Sequence, residues 1–91
     1  QWGVIHNVAF SPSEKLIAVS ERSEDYKKGR IYLGNLDEKK LLRMIEITNV
    51  LPEQYAMSLA FHGESTIYAA IGSNTYIMSP GRIQGWDVNS A

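Results

Sequence analysis

The chain has no cysteine, and among its 91 residues there are only three prolines and two tryptophans. Without cysteine, disulfide staples and thiolate metal sites are excluded. That absence fits a reducing compartment, so a cytoplasmic setting is the expectation. No apolar run approaches the roughly 20 residues that span a bilayer, and no charged-then-apolar leader opens the sequence, so no membrane partner is expected. No Asn-x-Ser/Thr acceptor occurs, and nothing points to glycosylation. A formal net charge of −1 creates no global field to attract nucleic acid. What is present is 44% hydrophobic and 21% charged residues, the balance of a small globular domain rather than a disordered chain.

The apolar residues come in short runs. "VIHNVAF" (4–10) and "LIAVS" (16–20) are rich in β-branched residues and flank "SPSEK", whose proline and serines are turn formers. They read as two antiparallel strands. "RIYLGNL" (30–36) supplies a third strand after the polar "ERSEDYKKG", and "LLRMIEI" (41–47) a fourth after "DEKK". The last has helix-favouring composition, but its shortness and its inserted Arg43 and Glu46 favour a strand.

The pattern then restarts. "YAMSLAF" (55–61), "HGEST" and "IYAAI" (67–71) take the places of "VIHNVAF", "SPSEK" and "LIAVS". At an offset of 51, Ala9 matches Ala60, Phe10 matches Phe61 and Ala18 matches Ala69. One further inserted residue aligns Gly29, Arg30 and Ile31 with Gly81, Arg82 and Ile83. Repeats of this period point to solenoids, propellers or arrays, and four short strands per repeat select the propeller.

The phrase "VAFSPSEKLIAVS", the later "GRI" and the dipeptide Trp86-Asp87 resemble WD40 repeats, the four-stranded blades of a β-propeller, over almost the whole chain. The resemblance implies an all-β fold and a protein-interaction scaffold. It also has departures. The family's Gly-His pair is absent, Lys28 and Pro80 stand at its Asp positions, and Gly34 stands at the tryptophan position of the first repeat. The hydrogen-bond network that braces such blades is therefore replaced by packing.

The strands count as a-b-c-d then a-b-c, about seven, with one blade and its linker over 1–52 and a second blade over 53–91 that lacks its outer strand. Repeat units rarely bury their apolar faces alone. The chain is then an excerpt of a larger propeller, or copies of it close a ring as a homo-oligomer, or a partner supplies further blades. Phe10, Phe61 and Trp86 are expected to pack between blades, and Trp2 to cover an open face or reach a neighbour.

No catalytic constellation emerges. His6 and His62 belong to different repeats and cannot be expected to share a metal. Ser11, Ser13 and Ser65 lie in turns, and no Gly-x-Ser-x-Gly elbow occurs. Neither "GRIYLGNL" nor "GRIQGWDV" has phosphate-cradle spacing, so no cofactor is expected. Lys27, Lys28, Arg30, Lys39, Lys40 and Arg43 are interrupted by Asp25, Asp37 and Glu38, which is mixed surface charge rather than a nucleic-acid patch. The reading is a non-catalytic interaction module. Its alternative is a fragment of a propeller enzyme whose catalytic residues lie in absent blades, or a ring-forming structural module.

Candidate binding residues follow from connection lengths. The a-b and c-d turns are short, whereas the b-c and d-a connections are long and emerge at one end of the blades. They carry Glu24, Asp25, Tyr26, Lys28, Leu51, Tyr55, Tyr76, Ile77 and Met78, and long loops on a rigid scaffold are where binding residues concentrate.

Overall fold

A computed structural model describes residues 2–23, 28–47, 55–72 and 81–89. Seven strands account for most of them: β1 (Trp2–Phe10), β2 (Leu16–Ser23), β3 (Gly29–Asn35), β4 (Lys40–Glu46), β5 (Tyr55–His62), β6 (Thr66–Gly72) and β7 (Arg82–Asp87). Each pairs antiparallel with its sequence neighbour, giving one four-stranded sheet β1-β2-β3-β4 and one three-stranded sheet β5-β6-β7. The chain is all-β as expected, and 40–46 is strand rather than helix.

The turns explain the meander. In the first, the Ser11 amide donates to the Leu16 carbonyl at 3.0 Å, and the Ser11 hydroxyl accepts from the Leu16 amide at 3.1 Å. The Glu14 amide donates to the Ser11 carbonyl at 2.8 Å, which closes the bend. The second turn is tighter, with His62 opposite Thr66 and Gly63 in the left-handed region at φ 62°. Glycine adopts that conformation without the cost a side chain brings.

One apolar core lies between the sheets. The four-stranded sheet turns in the rows Ala9–Ala18–Leu33–Arg43 and Asn7–Ser20–Ile31–Ile45. Opposite them, the three-stranded sheet presents Phe61–Ile67–Trp86, Leu59–Ala69 and Ala56–Ile71. Ala18, Ile31, Leu33, Ile45, Leu59, Ile67, Ala69, Ile71 and Val88 are buried there, with Ala9, Phe61 and Trp86 packed against them. Each fully buried Ile or Leu contributes about 1.5–3 kcal/mol relative to exposure. The Arg43 guanidinium also crosses between sheets and donates to the Asp87 carbonyl oxygen at 2.6 Å.

Strand pairing moves one of the sequence matches. Phe10 faces Ile17 across the first turn, whereas Phe61 faces Ile67, so the second turn is one residue shorter. The residue of β6 in the place of Ala18 is therefore Tyr68, and Ala69 takes the place of Val19. A slip of one residue reverses every side chain of a strand. With β6 so placed, the face of the four-stranded sheet that points inward corresponds to the face of the three-stranded sheet that points outward. The sheets thus stack front to back. Ile31 is 0% exposed, whereas its counterpart Ile83 is 78% exposed.

That stacking corrects the expectation for Phe10. Phe61 and Trp86 do lie against the core, but Phe10 is on the outer face and 55% exposed. No layer of the described residues covers that face.

Candidate functional site

The Ser13 amide and hydroxyl donate to the two carboxylate oxygens of Glu64, at 2.8 and 2.7 Å. These two hydrogen bonds to one carboxylate hold the β1–β2 turn beside the β5–β6 turn. The Leu36 amide donates to the Lys15 carbonyl at 2.7 Å, which brings the β3–β4 turn to the same end. By antiparallel order, the strand ends Ser23, Gly29, Glu46, Tyr55, Gly72 and Arg82 all lie at the opposite end. The three long connections leave from there.

Of the candidate binding residues, Tyr55 begins β5 at that end and Lys28 lies there, exposed, just before β3. Lys28 is anchored through its backbone: its amide donates to the Ser23 hydroxyl at 3.1 Å, and its carbonyl accepts from the Ser23 amide at 3.0 Å. Ser23 and Lys28 therefore clamp the two roots of the first connection. Glu24, Asp25, Tyr26, Leu51, Tyr76, Ile77 and Met78 lie outside the described residues.

Polar side chains crowd the roots of these connections, Arg22 by alternation on the inner-facing side of β2 and Glu21, Arg30, Tyr32 and Glu46 on the outer face of the four-stranded sheet. Arg30 pairs with Glu46 at 3.4 Å, and the Tyr32 hydroxyl donates to Glu21 Oε1 at 2.8 Å. Arg22 Nε donates to His6 Nε2 at 2.9 Å. Partial burial and then the charge of Arg22 lower the His6 pKa below its ordinary 6.5, which keeps the ring an acceptor. The sequence reading did not single out Arg22, Arg30, Glu21 and Glu46 together. The signal available was charge near the strand ends, Glu21 and Arg22 on β2, Arg30 on β3 and Glu46 on β4. His62 is far from His6 in this respect, at the turn end, edge-on to the Tyr68 ring with centroids 6.5 Å apart.

Away from this polar end the same face is apolar. Its rows are Phe10–Ile17–Gly34–Leu41 and Val8–Val19–Tyr32–Met44. Phe10, Val8, Leu41 and Met44 are exposed. Where the first repeat carries Gly34 in place of tryptophan, a groove of about 290 Å³ opens, bounded by Ile17, Gly34, Leu36, Lys39, Lys40 and Leu41. The outer face of the three-stranded sheet differs in relief. Ser58, Ala60, Ala70 and Gly85 keep it low, and Tyr68 and Ile83 stand above it. The Tyr68 ring lies over Gly85 so closely that a Cβ there would come within 2.7 Å of it.

No protein-family model, curated protein or solved structure matches the chain. Among the described residues, no helix is long and apolar enough to cross a membrane.

Proposed function

We propose that this chain is a protein-interaction module of two WD40-like propeller blades, non-catalytic, that binds a protein partner through the end from which its long connections leave. The observation that carries this reading is the Ser13–Glu64 link, which puts the short turns of both sheets at one end and the roots of all three long connections at the other. The front-to-back stacking of the sheets supports the blade assignment, because successive blades of a propeller present equivalent faces in the same sense. The connections offer Tyr26, Tyr55, Tyr76, Leu51 and Met78 amid Glu24, Asp25 and Lys28. Tyrosine buries area at low entropic cost and keeps a polar handle, which suits a contact surface. Lack of cysteine makes a reducing, cytoplasmic setting part of this reading.

The test is replacement of Tyr26 and Tyr76 by alanine, with affinity for a crosslink-identified partner and thermal stability measured separately. Truncating a contact anchor lowers affinity by about tenfold or more, which is about 1.4 kcal/mol. Unchanged affinity in a folded double variant would sink the proposal.

A further inference from the structure

The two uncovered faces are complementary to each other. Inside the molecule, one core combines small and large residues of the four-stranded sheet (Ala9, Ala18, Ile31 and Leu33) with those of the three-stranded sheet (Ala69, Phe61, Ile67 and Trp86). The outer faces offer the same combination. The three-stranded sheet exposes small residues (Ser58, Ala60 and Ala70), while the four-stranded sheet exposes large ones (Phe10, Val8 and Leu41). Position by position, Phe10 corresponds to Phe61, Ile17 to Ile67 and Gly34 to Trp86. The exposed face of the four-stranded sheet is therefore the counterpart of the buried face of the three-stranded one. Contiguous exposed apolar surface of this kind marks an interaction site.

Relief and charge fit as well. Gly34 leaves a groove on one outer face, and Tyr68 and Ile83 project from the other. Lys39 and Lys40 border the groove near the turn end. Asp87, also near the turn end, lies in the row His62–Thr66–Asp87 of the facing surface and is exposed. Stacking a second chain in the sense of the internal stacking brings that carboxylate toward the two lysines.

We propose that the outer face of the four-stranded sheet receives the outer face of the three-stranded sheet of a second copy of this chain, so that copies associate head to tail. The proposal rests on the blade reading above and deepens it by naming what covers the open faces. Such a contact is heterologous, and successive copies close a ring or extend a filament according to the rotation per copy. Propellers close with about four to eight blades, so a ring takes about two to four copies.

Sedimentation equilibrium of the 91-residue chain tests it, with Val8→Lys spoiling one face and Ala60→Lys the other. The unmodified chain is expected at a multiple of 10.2 kDa. Each variant alone is expected to be monomeric, because every copy lacks the same half of the contact. Mixed, they retain one intact pair of faces and should give a one-to-one dimer of twice 10.2 kDa. An unmodified chain that stays monomeric up to about 1 mM, where even a contact with Kd of that order shows, overturns the proposal. So does a mixture that remains monomeric, or association abolished by only one of the two substitutions. Should either variant fail to fold, Phe10→Lys and Ala70→Lys probe the same faces and are read in the same way. The Ser13 amide resonance of the monomeric variants separates the two readings. If its bond to Glu64 is intact and no copies associate, docking alone fails. If that bond is missing, the stacking behind the blade reading fails with it.

Discussion

The Val88 amide donates to the Ser65 carbonyl at 2.7 Å, and this bond has a twin in the first repeat, from the Leu36 amide to the Lys15 carbonyl at 2.7 Å. An L-residue whose amide points at a given neighbouring strand must project its side chain to one particular face. Val88 and Leu36 therefore occupy equivalent faces of their sheets. Val88 is 2% exposed and Leu36 is 40% exposed. One face, buried in the second sheet and open in the first, is what front-to-back stacking requires.

Ile67 and Phe10 lie on equivalent faces, yet only Ile67 is covered. In dilute solution Ile67→Ala should lower stability by about 2–5 kcal/mol through lost burial and a residual cavity. Phe10→Ala should change it by less than about 0.5 kcal/mol, as an exposed substitution does. Urea unfolding of both variants checks the pair, and equal losses would contradict the stacking.

Gly34→Trp should fold. A Cβ at Gly34 meets Ile17 Cγ2 at 3.4 Å and Lys40 O at 3.6 Å, which is ordinary contact, and the groove beyond has room for a ring. Replacing a mid-strand glycine by an aromatic should raise stability by about 1 kcal/mol, the span of β-propensity scales. Binding of an apolar dye to the outer face should fall at the same time. A loss of more than about 1 kcal/mol would mean that the groove cannot take the ring.

The Ser13 hydroxyl, and then its amide, hold the Glu64 carboxyl below its ordinary 4.5. A depressed carboxyl pKa favours the folded state above the unfolded value, and that contribution disappears as pH falls through the folded one. The link between the two turns should accordingly persist at neutral pH and loosen only below 4.5. An NMR titration of the Ser13 amide proton follows it, and a midpoint at or above 4.5 would count against the bond.

The strands were legible because β-branched runs alternate with turn formers, and the strand character of 41–47 could be argued from its shortness and its inserted Arg43 and Glu46, the strand itself running Lys40–Glu46. Register was not legible. Alanine at both Ala18 and Ala69 suggests equivalence, but an alanine fits either face of a strand, and the deciding quantity is the count of residues in the turn. Phe10 misled for a related reason: alternation shows that a side chain shares a face with Val8, not whether anything lies beyond that face. For the candidate site, connection lengths indicated that the long connections share one end, and the strand ends lie as that requires. The charged roots around Arg22, Arg30 and Glu46 escaped notice because their proximity depends on which residues stand opposite across β1 to β4.

The shorter β5–β6 turn makes length a matter of parity. Relative to the first repeat, β6 is displaced by one residue in one direction and β7 by one in the other, so the connection between them is two residues longer. A turn one residue shorter still sets the same pair opposite each other, Phe61 with Ile67 as Phe10 with Ile17. The turn absorbs the difference, and what moves is which residues eight apart share a face: Phe61 with Ala69, but Phe10 not with Ala18.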